Sequence, residues 1–134
     1  MKANEIKKGT TVYVKLVGNA ALRKSEDQLI EQWEITKIGR KYLYAKMPGS
    51  SFETCFEFVE RYYNAEHGCW VEKTDYSRNH ILYFSEQEAK DEMLRSKLIQ
   101  KISGLTNSRL SILSLEQLKE IDSIFESALE KNRT

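Results

Sequence analysis

Polar and apolar residues alternate along residues 11–17, "TVYVKLV", so Val12, Val14 and Leu16 share one face and Tyr13, Lys15 and Val17 the other. A period of two marks a half-buried strand. Residues 18–28 keep no such period and turn polar in their second half, which predicts a loop long enough to carry function. A second strand is predicted over 29–38. There Leu29, Trp33 and Ile35 share a parity with Glu31 and Lys37, while Ile30 and Ile38 fall on the other. Broken alternation of this kind predicts a bulge in a strand that bends around a small barrel. Gly39-Arg40 predicts a tight type II′ turn into a third strand over 41–47. That strand sets Tyr42, Tyr44 and Lys46 against Leu43, Ala45 and Met47, and either set could face inward. Pro48-Gly49-Ser50-Ser51 is the strongest turn signal in the chain. A fourth strand over 52–59 puts Phe52, Thr54, Phe56 and Phe58 on one side and Cys55 with Glu53 and Glu57 on the other. Residues 60–79 are polar and irregular, with a short strand at 68–73, and a last strand spans 80–84.

The period then changes. Ser85 with Glu88 reads as a capping box, followed by Ala89, Met93, Leu94, Leu98 and Ile102 at helical steps, with Gly104 as the stop. Ser114 with Gln117 opens a second helix whose stripe is Leu118, Ile121, Ile124, Phe125, Ala128 and Leu129. The expected fold class is α+β: a small antiparallel β-barrel, SH3-like, of five to six strands, followed by two C-terminal helices. The expected division is a barrel over 1–84 and a helical segment over 85–134, packed on the barrel or projecting from it.

Composition narrows the picture. A chain of 134 residues with 40% hydrophobic and 31% charged residues can bury a core. No apolar run approaches a membrane span and the N-terminus lacks the apolar stretch of a signal peptide, so the expectation is a protein of the bacterial cytoplasm with no membrane partner. Two cysteines, Cys55 and Cys69, are too few for a stapled secreted domain and read as free thiols. Net charge is +1, yet residues 1–50 hold ten Lys/Arg against five Asp/Glu, and residues 51–134 hold eleven against fifteen. A basic half can attract an acidic partner although the whole is near neutral.

The runs "VYVKLVGNAALR", "EITKIGRKYLYAKM", "ILYFSEQEAKDEM" and "LSLEQLKEI" resemble small SH3-like β-barrel proteins encoded by bacteriophages and prophages. Those proteins carry a K-I/V-G-R-K-Y/F hairpin near the start and a helical tail. Here Lys37-Ile38-Gly39-Arg40-Lys41-Tyr42 stands in the hairpin and Leu113 to Leu118 in the tail. The resemblance implies a mobile-element origin and a barrel, not a reaction. Small phage proteins of this size include inhibitors of host defence, anti-CRISPR proteins among them, and that association transfers no active residue.

The chain holds no P-loop, no G-x-S-x-G and no H-E-x-x-H. Cys69 with His67 or His80 could form a nucleophilic pair, but nothing beside it builds an oxyanion hole. Cys55, His67, Cys69 and His80 lack the two close pairs of a zinc site. Neither metal nor other cofactor is expected, and neither is an enzyme. The candidate contact set is Arg23, Lys24, Lys37, Arg40, Lys41, Tyr42 and Tyr44, with Tyr13 and Lys15 joining if their strand lies beside the third. The expected function is a non-enzymatic binding protein that blocks a host macromolecule, its partner a host or phage protein complex, nucleoproteins included, and its state a monomer or weak homodimer. The alternative is a nucleic-acid-binding barrel using the same hairpin, which requires the tyrosines to face outward.

Overall fold

The computed structural model describes residues 6–62, 67–105 and 107–131. Two units emerge, Met1–Ser96 and Lys97–Thr134. The first holds six strands: β1 (Thr11–Leu16), β2 (Ile30–Ile38), β3 (Tyr42–Lys46), β4 (Thr54–Val59), β5 (Cys69–Glu72) and β6 (His80–Tyr83). Each pairs antiparallel with the next, and β6 returns to β1, so the sheet closes into a barrel with no free edge.

Alternation decides what lies inside. Val12, Val14 and Leu16 of β1 are buried, as their parity predicts. Val12 and Val14 meet Trp33 and Ile35 of β2, Leu43 and Ala45 of β3, Phe56 of β4 and Leu82 of β6. The expected irregularity in β2 is a register shift between Ile35 and Lys37 against β3, which brings Lys37 opposite Tyr44. Leu43 and Ala45 fill the interior, so Tyr42 and Tyr44 face out and are half-buried on the barrel's outer surface. A second cluster of Cys69, Val71 and Ile81 packs with Val59, Tyr62 and Tyr83.

Two local expectations change. The β2–β3 connection is not a type II′ turn, because none of Gly39, Arg40 and Lys41 adopts positive φ. Three residues make the turn, closed by the Gly39 N–H donating to the Tyr42 carbonyl at 2.9 Å. A side chain on Gly39 would lie 3.3 Å from that carbonyl, so glycine serves close approach there and not left-handed backbone. Loop 17–29 also holds structure: a one-turn helix α1 (Gly18–Ala21) and a 3-10 turn at Glu26–Gln28. The latter is closed by a capping box between Ser25 and Gln28. The Pro48-Gly49 turn forms as expected, with Gly49 at φ +82° and the Ser50 N–H donating to the Met47 carbonyl, the pattern of a type II turn.

Helix α2 (Glu86–Ser103) begins where the Ser85 hydroxyl accepts from the Glu88 N–H, and it stops before Gly104. Ala89 is fully buried. In the second unit, α3 (Asn107–Leu110) precedes α4 (Leu115–Lys131), whose start is a complete capping box between Ser114 and Gln117. In the α4 stripe Leu118, Ile124, Phe125 and Leu129 are exposed and Ile121 is half-buried. Among the described residues no helix is long and apolar enough to cross a membrane.

Candidate nucleic-acid interface at the hairpin end of the barrel

In an up-and-down barrel, successive connections leave from opposite ends. The β1–β2, β3–β4 and β5–β6 connections therefore share one end, and the β2–β3 hairpin shares the other with the β4–β5 connection.

The end away from the hairpin is latched by polar contacts. The Asn79 side-chain oxygen accepts from the Asn19 N–H at 3.0 Å and the Ala20 N–H at 3.4 Å, tying loop 17–29 to the β5–β6 turn. The Glu72 carboxylate accepts from the Asn79 N–H at 2.7 Å and pairs with His80 Nδ1 at 3.3 Å, and the His80 ring packs 5.0 Å from Trp33.

The hairpin end is different: aromatic and open. A groove of about 670 Å³ is lined by Arg40, Lys41, Glu57, Phe58, Trp70 and Phe84, among others. Phe58 and Trp70 are cross-strand partners on β4 and β5, edge to face with centroids 5.6 Å apart. Phe58 continues the parity of buried Phe56 but reaches the barrel mouth, where it is 51% exposed. A large apolar side chain left open at the mouth of a small barrel is costly unless something covers it.

Round the corner, the outer face of β3 carries Tyr42 and Tyr44. The Lys37 ammonium stands 5.3 Å from the Tyr44 ring, and those of Lys41 and Lys73 each stand 5.5 Å from the Tyr42 ring. A hydrogen bond with Cys55 is the largest of the effects that raise the Tyr44 hydroxyl pKa above its ordinary value. Lys46 is drawn toward Glu34 at 3.9 Å. The surface thus combines rings that can stack with cations that can follow phosphates.

Of the candidate set, the fold gathers Lys37, Arg40, Lys41, Tyr42 and Tyr44 around the hairpin. Arg23 and Lys24 lie in loop 17–29 at the other end, Arg23 with a left-handed backbone at φ 64°. Tyr13 and Lys15 do not join the group, because β2 separates β1 from β3. Sequence reasoning missed Trp70, Phe84 and Lys73. The one signal for Trp70 is an aromatic two residues after Gly68 in a polar stretch. Only the pairing of β4 with β5 shows that it meets Phe58.

Cys69 is buried, and its Sγ lies 3.5 Å from the His67 carbonyl oxygen, not from the ring. Burial, with Glu92 adding, pushes its thiol pKa up against the opposing pull of Lys15. A nucleophile needs the opposite. Among the described residues no three His, Cys, Asp or Glu side chains gather as metal ligands would.

A family model described as Phage ProQ C-terminal-like domain matches residues 1–128, nearly the whole chain. No curated protein matches, and no solved structure does.

Proposed function

The chain belongs to the phage ProQ C-terminal-like domain family, and from that premise we propose that it is a non-catalytic module that binds single-stranded nucleic acid at the hairpin end of its barrel. The observation that carries this is the exposed Phe58, edge to face with the half-buried Trp70, in a groove rimmed by Arg40 and Lys41. Unstacked bases have faces for such rings, whereas a duplex hides them, so the rings favour single strands. Lys37, Lys41 and Lys73 around the outward tyrosines extend the cationic surface beyond the groove. Glu57 at the groove offers an acceptor to an exocyclic base amine. Such a module works in the cytoplasm of the infected bacterium.

Fluorescence anisotropy with labelled single-stranded and duplex DNA and RNA tests the proposal. Micromolar binding to single strands, weaker on duplex and lost with salt, is expected. Absence of binding at low salt refutes it. A second reading, a barrel that blocks a host macromolecule in the manner of an anti-CRISPR protein, draws on the phage family and on the same cations. A protein partner touching the full set of Arg23, Lys24, Lys37, Arg40, Lys41, Tyr42 and Tyr44 would have to span the barrel from end to end. This reading takes the lead if nucleic acid fails to bind and a host protein is captured in a manner that Arg40→Glu with Lys41→Glu abolishes.

A further inference from the structure

We propose that a second cleft, separate from the hairpin groove, binds the phosphoryl group of a nucleotide through Lys15 and Arg78. The cleft holds about 510 Å³ and is lined by Lys15, Tyr62, Tyr76, Ser77, Arg78 and Glu92, among others.

Lys15 projects from the outer face of β1, on the parity opposite to the buried Val14 and Leu16. Among the described residues its ammonium has neither a hydrogen bond nor an ion pair. Glu92 of α2 acts on it only through longer-range attraction. Burial, the largest effect, lowers the Lys15 pKa. A cation partly stripped of water and left without a close partner gains from an arriving anion.

Arg78 supplies the second cation, and its side chain is pre-positioned. Its Nε donates to the Glu72 carbonyl at 3.2 Å, and its guanidinium carbon sits 5.6 Å from the Tyr62 ring centroid. The Glu72 carboxylate is engaged by the Asn79 N–H and His80, and it forms no ion pair with Arg78. The backbone here is also held closely: Gly18 has φ +54°, and a side chain there would meet the Arg78 carbonyl at 2.8 Å. Among the described residues nothing else engages the guanidinium N–H groups, which can fork onto phosphate oxygens, the geometry for which arginine is suited.

Two cations imply an anion. The rest of the lining points to a nucleotide over inorganic phosphate. Tyr76, 88% exposed at the cleft, offers a face to a base. Glu92 can accept from an exocyclic amine. A free nucleoside monophosphate and the phosphorylated end of a strand present the same chemistry.

Calorimetric titration of the full chain with adenosine 5′-monophosphate, adenosine, and a short oligonucleotide with and without a 5′-phosphate tests the proposal. Adenosine 5′-monophosphate is expected to bind more tightly than adenosine. Lys15→Met with Arg78→Gln is expected to weaken it about tenfold or more. Lys15→Ala alone gives a smaller loss in the same direction, and it carries the test if circular dichroism shows the double variant unfolded. Arg40→Gln with Lys41→Gln should leave mononucleotide binding unchanged, which separates this site from the hairpin end. A preference for the phosphorylated over the unphosphorylated oligonucleotide, with weaker binding of the mononucleotide, assigns the site to strand ends. The reverse order assigns it to free nucleotides. No advantage of a phosphate in either pair of ligands, or an advantage that survives the cleft variants, overturns the proposal.

Discussion

Replacing Arg40 and Lys41 by glutamine should change how binding responds to salt, not only how tight it is. Both side chains are exposed on the hairpin turn, so the substitutions should cost less than about 0.5 kcal/mol of stability. With Lys37 and Lys73, whose ammoniums stand by the Tyr44 and Tyr42 rings, they make four cations along the hairpin and the outer face of β3. If each neutralises one phosphate of a single strand, log K falls with log salt at a slope of about −2.8. Affinity then drops about 50-fold between 50 and 200 mM salt. The double variant keeps two contacts, a slope of about −1.4, and a drop of about sevenfold. Anisotropy titrations of a labelled oligonucleotide at four salt concentrations give both slopes, and melting curves confirm that both proteins are folded. Parallel slopes for the two proteins would show that the hairpin cations do not meet phosphates.

Phe58→Ala should weaken strand binding by about 1–3 kcal/mol with little loss of stability. Phe56→Ala, two residues earlier and fully buried, should cost about 3–5 kcal/mol in denaturant melts. Gly68→Ala places a methyl group against the Phe58 ring and the Val59 carbonyl, so it should reduce binding without altering any charge, read by the same anisotropy assay. Burial raises the Tyr83 phenol above its ordinary value of 10.0, so the folded chain holds that proton more tightly than the unfolded chain. Stability should therefore fall as pH rises past about 10, the unfolded phenol's value, and melting curves of Tyr83→Phe should lack that component. In a Cys55→Ser background, Cys69 should react with a thiol reagent at neutral pH far more slowly than a free cysteine. Rapid reaction would revive a nucleophilic role.

How legible these features are in the sequence depends on whether local pattern or long-range pairing decides them. Val12, Val14 and Leu16 alternate with polar neighbours, so β1 and its buried face read directly. The bulge in β2 reads from broken parity. Both helix starts read from serine boxes, because a cap is a contact between residues three apart. The turn at Gly39 misleads, because glycine there serves close approach to Tyr42, and composition cannot tell that from left-handed backbone. The inward face of β3 is undecidable locally, since tyrosines oppose leucine and alanine, and only closure of the barrel places Leu43 inside. Arg23 and Lys24 look close to Lys37 along the chain, yet one strand crossing sends them to the other end. The groove was least legible of all, because Phe58 and Trp70 meet only through the β4–β5 register.

The central claim, a single-stranded nucleic-acid site at the hairpin end, is tested most directly by mapping amide shifts on the full chain. Two-dimensional nitrogen–proton spectra would be recorded during titration with a short single-stranded oligonucleotide. The largest movements should fall on Arg40, Lys41, Phe58 and Trp70, with the Trp70 indole N–H moving as well, while the latched end around Asn79 stays still. Saturating additions that leave those four residues unmoved would contradict the claim.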